Sequence, residues 1–115
     1  MIVYGIPNCN TVKKARTWLT DKGFSYEFHD FKKQGISADK LREWVTVFGW
    51  ETVLNRKGTT WKKLAPEQQA AVTDAESAIA ILLENNSAIK RPVVEQNGKA
   101  ILIGFNEEAY TSSLK

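Results

Sequence analysis

The chain has 115 residues and is poor in several residue types that carry chemistry or staple small folds: one cysteine, Cys9, one histidine, His29, one methionine and three prolines. A single cysteine excludes an intramolecular disulfide and a cysteine-based structural zinc site, and a single histidine leaves too few ligands for a metal cluster. No metal site is expected. The longest strictly apolar run, Ala78 to Leu83, is far short of the roughly 18 residues that span a bilayer, so no transmembrane helix is expected. Ile2-Val3-Tyr4 is too short for a secretory h-region and lacks a basic n-region, which points to a cytoplasmic chain. A large excess of charge of one sign is missing too. Sixteen basic against thirteen acidic residues give +3 and a pI near 9.0, too mild a bias to demand a polyanionic partner.

What is present is ordinary globular composition, 43% hydrophobic and 25% charged, at the size of one domain over residues 1–115. The N-terminus reads as strand, loop and helix, with Val12, Ala15 and Leu19 at helical spacing and a stop at Lys22-Gly23. Ser25 to Phe31 alternates like a second strand. Gly35 marks a turn, Ser37 is a good N-cap, and Leu41, Trp44, Val45 and Phe48 share a face of a helix ending at Gly49. Around Leu54 to Trp61 a short helical piece and a glycine turn are expected, then a short helix from Pro66 to Val72. Thr73-Asp74-Ala75-Glu76 reads as a capping box opening a helix with Ala75, Ile79, Leu82 and Leu83 inward, ending at Asn85-Asn86. Val93 to Gln96 and Lys99 to Ile103 around Asn97-Gly98 form a hairpin, and Asn106 caps a last helix carrying Ala109, Tyr110 and Leu114. This order predicts an α/β chain with a four-stranded mixed sheet and the elements of a thioredoxin-like fold, with a helical subdomain inserted at about residues 36–87.

Three features carry chemistry. Cys9 sits in a Pro-Asn-Cys-Asn loop between strand and helix, where unpaired helix N–H groups and the positive dipole end favour a thiolate. Lys13, one helical turn on, is a candidate cation for it, and Asn8 is a structural residue of the same loop. The bland alternative is a small core cysteine, although such a loop is a poor place to bury one. Arg91-Pro92 opens a strand beside that loop in such a sheet; its guanidinium offers forked donors for a thiolate, carboxylate or oxyanion, and a surface arginine before an edge strand fits the spacing equally well. Arg56-Lys57-Gly58-Thr59-Thr60-Trp61-Lys62-Lys63 carries four positive charges without a carboxylate, as an anion site or a solvated face does. With no further basic or aromatic cluster, a nucleic-acid partner is not expected. His29, Trp18, Trp44 and Trp50 read as packing residues.

Tyr4-Gly-Ile-Pro-Asn-Cys9-Asn-Thr-Val-Lys-Lys-Ala15, Gly58-Thr-Thr-Trp-Lys-Lys-Leu64, Ile89-Lys-Arg-Pro92 and Leu102-Ile-Gly-Phe105 resemble the arsenate reductase-like (ArsC/Spx) family, especially its YffB-type members, over nearly the whole chain. The resemblance implies a thioredoxin fold with an inserted helical subdomain, Cys9 as nucleophile, Arg56 and Arg91 as anion-binding arginines, and a cis Pro92. The pattern His-x3-Cys-x3-Arg of glutaredoxin-linked arsenate reductases becomes Gly5, Cys9 and Lys13 here, and their third oxyanion arginine falls near Gly104-Phe105, where none stands. Arsenate as the physiological substrate is therefore not implied. The Cys-x-x-Cys switch common in Spx regulators is excluded, because Cys9-Asn10-Thr11-Val12 holds one thiol. The leading expectation is a thiol-dependent reductase with Cys9 as nucleophile, Lys13, Arg56 and Arg91 as substrate or anion ligands, no bound cofactor, and glutathione or a glutaredoxin as second thiol. The alternative is a Spx-type protein that docks on RNA polymerase without turnover.

Overall fold

The structure, a computed structural model, describes residues 1–114. In chain order the elements are β1 (Ile2–Gly5), α1 (Asn10–Asp21), β2 (Glu27–Asp30), α2 (Phe31–Gln34), α3 (Ala38–Phe48), α4 (Trp50–Val53), α5 (Thr59–Lys62), α6 (Pro66–Ala70) and α7 (Ala75–Glu84). A 3-10 turn (Asn86–Ala88), β3 (Val93–Gln96), β4 (Lys99–Ile103) and α8 (Glu107–Ser113) complete them. They divide into two units, Met1–Gln34 with the chain from Arg91 onward, and Gly35–Lys90.

The first unit holds the expected four-stranded mixed sheet, in the order β2-β1-β3-β4. β1 runs parallel to β2, pairing Tyr4 with His29, and antiparallel to β3, pairing Tyr4 with Val93; β3 and β4 form the hairpin. The hairpin turns at Asn97 and Gly98, whose φ of 55° and 78° are the positive values that a two-residue type I′ turn demands. On one sheet face Val3, Val94 and Leu102 pack against Ala15 and Leu19 of α1 and Tyr110 and Leu114 from the C-terminal segment, a core from which water is excluded. Burying a leucine such as Leu19 contributes about 1.5–3 kcal/mol. On the other face the Tyr4 hydroxyl donates to the buried Glu95 Oε1 at 3.0 Å, and the Tyr4 ring lies 4.8 Å from that of His29.

The second strand is shorter than the alternation of Ser25 to Phe31 suggests. Asp30 ends it: its Oδ1 accepts from the Lys32 and Lys33 amides at 3.0 and 3.3 Å, which turns the chain into α2 and buries Phe31 as a helical residue. Ala109 of α8 is exposed, while Tyr110 and Leu114 face inward.

In the second unit Ser37 caps α3 by accepting from the Lys40 amide at 3.1 Å, and Leu41 and Trp44 are its fully buried residues. The cap of α7 lies one residue later than expected. Asp74, not Thr73, is the N-cap, accepting from the Ser77 amide at 2.9 Å while Ser77 Oγ accepts back from the Asp74 amide at 3.0 Å. Ala78 faces inward with Ile79 and Leu82, and Leu83 is 41% exposed rather than inward. A bridge between Leu54 and Ile89, flanked by Asn55 N–H to Ala88 O and Lys90 N–H to Val53 O, both 2.8 Å, closes the unit. Among the described residues no helix is long and apolar enough to cross a membrane.

Candidate functional site

Cys9 is the N-cap residue of α1, with extended backbone (φ −130°, ψ 125°) and a half-buried side chain. Its carbonyl accepts the first helical bond, from the Lys13 amide at 2.9 Å. Burial pushes the thiol up, but the Val12 amide, the charge and a hydrogen bond of Arg91, and the Thr11 amide outweigh it, and the thiol sits below its ordinary value. Sulfur here stands where a serine or aspartate oxygen usually caps, so the helix's own orphan N–H groups serve the thiolate.

Gly5 sets how closely β1 approaches this turn. A Cβ on Gly5 would lie 3.0 and 3.2 Å from the two Val12 methyls, inside ordinary contact, and Val12 is fully buried. A histidine at position 5, as in the pattern named above, requires the Val12 side chain to give way by a few tenths of an ångström.

Arg91 is half-buried at the head of β3, and its peptide bond to the buried Pro92 is cis. Pro92 is braced from behind: the Gly104 amide donates to Pro92 O at 2.8 Å, and the buried Tyr110 hydroxyl donates to Gly104 O at 2.6 Å. Gly104 has φ of 76°, a left-handed turn that favours glycine, and Phe105 packs edge-on against Tyr110 at 4.9 Å. The two positions where a third arginine falls in the glutaredoxin-linked pattern are thus occupied by a turn and an aromatic contact.

The remaining expected residues fall in different places. Asn8 and Lys13 are exposed, and Lys13 opens onto a groove with Lys14, Thr17 and Phe105; the cation that acts on Cys9 is Arg91. Arg56 belongs to the second unit. Its guanidinium lies 3.5 Å from Glu51 Oε2 and 5.2 Å from the centre of the Trp50 ring, in a cleft of about 410 Å³ also lined by Asn55, Lys57 and Lys90. The Leu54–Ile89 bridge brings Lys90 to that cleft across a long stretch of sequence.

The sequence profile of the ArsC family matches residues 4–113. The chain belongs to the ArsC family. A Haemophilus influenzae relative is 44% identical over 111 residues, covering 96% of each chain. A solved structure of a protein named YFFB is 47% identical and covers 99% of this chain and 98% of its own, with a TM-score of 0.93. A protein called global transcriptional regulator Spx from Streptococcus agalactiae is 28% identical over 104 residues, covering 89% of this chain and 74% of its own.

The four-stranded mixed sheet with helices is the thioredoxin-like fold of the ArsC family, which is arsenate reductase-like. Within this ArsC-family frame, the brace from Tyr110 through Gly104 to Pro92 has no signature in the sequence, since its members are joined only by folding. The approach of Gly5 to Val12 had one visible sign, a glycine at the end of a strand, where a close backbone contact is a usual reason for it.

Proposed function

We propose that the chain is a monothiol reductase that uses glutathione or a glutaredoxin as its second thiol. The observation that carries this is the helix-capping Cys9 with its acidity raised by the Val12 and Thr11 amides and by Arg91. In this reading the Cys9 thiolate attacks one sulfur of an oxidised substrate, the S–S bond breaks, and the other sulfur leaves as a thiolate with the bonding electron pair. Cys9 is then held as a mixed disulfide; an external thiolate attacks the partner sulfur, that S–S bond breaks, Cys9 leaves as the thiolate with the bonding electron pair, and the external thiol takes its place in the disulfide. Arg91, with Lys13 at the same helix end, holds carboxylates of the cosubstrate; Arg56 holds an anion in the cleft it shares with Lys57 and Lys90. Such a cycle suits the reducing cytoplasm.

The test is intact mass after incubation with oxidised glutathione and again after adding reduced glutathione. One glutathionyl adduct is expected on the wild type, absent in Cys9→Ser and removed by the reduced thiol. An unmodified wild type would defeat the proposal. The 28% identity to a transcriptional regulator favours a second reading, a Spx-type protein docking on RNA polymerase without turnover. It requires the polymerase to be recovered with both wild type and Cys9→Ser; a pull-down without polymerase removes it.

A further inference from the structure

Arg91, the cation that acts on Cys9, is bonded to Pro92, and Pro92 is held from across the hairpin. The Gly104 amide donates to Pro92 O at 2.8 Å, one step beyond the pairing of Val93 with Ile103 that ends the β3–β4 ladder. Gly104 is the soft member of this link. With φ of 76° and no side chain, its own sterics leave the angle between its amide and its carbonyl loosely set. The buried Tyr110 hydroxyl removes that freedom by donating to Gly104 O at 2.6 Å, from six residues further on.

Tyr110 is 1% exposed, and a phenol so placed needs a partner, because a hydroxyl taken from water without one is costly. Its partner is a loop carbonyl rather than a helical one, so the bond orders the loop. The same ring meets Trp18 of α1 edge-on at 5.5 Å and Phe105 at 4.9 Å. α1 carries Cys9 as its N-cap. One side chain thus touches both halves of the site: the helix that presents the thiol, and the turn that holds the residue after Arg91. Burial pushes the Tyr110 phenol up, so it stays a donor across the pH range in which a thiol titrates.

We propose that Tyr110 is a positioning residue for the nucleophile: through Gly104 and Pro92 its hydroxyl fixes where the Arg91 guanidinium stands against Cys9. The proposal rests on Cys9 being the reactive thiol. It makes the reactivity of a residue near the N-terminus depend on a hydroxyl near the C-terminus that is bonded to Gly104 and not to the thiol. A guanidinium helps a thiolate only at the right distance and with a donor pointed at it, whereas the Val12 and Thr11 amides are carried by the helix itself. Loss of the hydroxyl therefore falls on the contribution of Arg91.

The test is the pH midpoint of iodoacetamide alkylation of Cys9 in wild type, Tyr110→Phe, Arg91→Ala, the double variant and Leu114→Ala. Trimethylamine N-oxide is present throughout to favour the folded form, which circular dichroism checks. Tyr110→Phe keeps the ring, and its midpoint should rise by about half a pH unit, with alkylation at neutral pH about two- to threefold slower. In the Arg91→Ala background the same change should add nothing, the non-additivity expected of two residues that act through one contact. Leu114→Ala empties part of the same core but leaves the hydroxyl, and its midpoint should match wild type. An unchanged midpoint in Tyr110→Phe, an equal rise with and without Arg91, or as large a rise in Leu114→Ala each overturns the proposal. Loss of the fold in Tyr110→Phe overturns it too, since the hydroxyl then serves the fold at large. A wild-type midpoint at or above about 8.5, or one that Arg91→Ala leaves in place, defeats the activated thiol itself, and the proposal falls with it.

Discussion

At Cys9 burial and attraction oppose each other, and attraction wins. Partial burial works against a thiolate, yet the Val12 amide and the Arg91 guanidinium together leave the thiol below its ordinary value. Arg91 is the removable part of that balance, because the amides belong to the helix. Arg91→Ala is therefore expected to raise the midpoint of iodoacetamide alkylation toward or past the free-thiol value of about 8.5 and to slow the reaction at neutral pH. A wild-type midpoint at or above about 8.5, or one that Arg91→Ala leaves in place, contradicts the activation described for Cys9. From the sequence, a cysteine between a strand and a helix already pointed to the helix amides; the choice between Lys13 and Arg91 as the acting cation did not follow from spacing. Lys13 is nearer in sequence, but a turn of helix fixes where its Cα lies and not where its exposed chain goes.

The elements deliver the two halves of the site from opposite ends of the chain. β1 ends at Gly5 and leads to Cys9; β3 begins at Val93 directly after Arg91-Pro92; the two strands pair antiparallel, so both loops emerge at one end of the sheet. α8 and the end of β4 hold the second loop in place through the Tyr110 hydroxyl and Gly104. Tyr110→Phe removes the donor and leaves a buried carbonyl without that bond, at a cost of about 1–3 kcal/mol in chemical denaturation with an unchanged denaturant slope. A cost near zero would mean that the bond does not brace the loop. Element identities were legible where a local device specifies them, as at the Asn97-Gly98 turn, the Ser37 cap and the Asn106 cap. Local ambiguity defeated the others. Thr73 and Asp74 are both good caps, and Ser77 selects Asp74 by bonding back to its amide; Phe31 fits a strand, but Asp30 caps a helix that claims it.

At the scale of the whole molecule, the thiol's acidity becomes a dependence of stability on pH. A thiol whose folded value is depressed has lost its proton in the native state while the unfolded chain still holds one, so stability rises with pH between the folded value and about 8.5. The stability advantage of the reduced wild type over Cys9→Ser is expected to grow as pH rises through that window, to level off above about 8.5, and to be lost as pH falls through the folded value. Parallel curves for the two proteins across that range would count against it. By itself the sequence determined the mixed sheet, the hairpin, the capping cysteine and the absence of a second thiol, because turn chemistry, hydrophobic period and residue counts are local properties. Only the tertiary structure decided which cation reaches Cys9, why Gly5 and Gly104 stand where they do, and that the Tyr110 hydroxyl braces the loop before β3. Each of these depends on the distance between atoms far apart in the chain, and packing sets that distance.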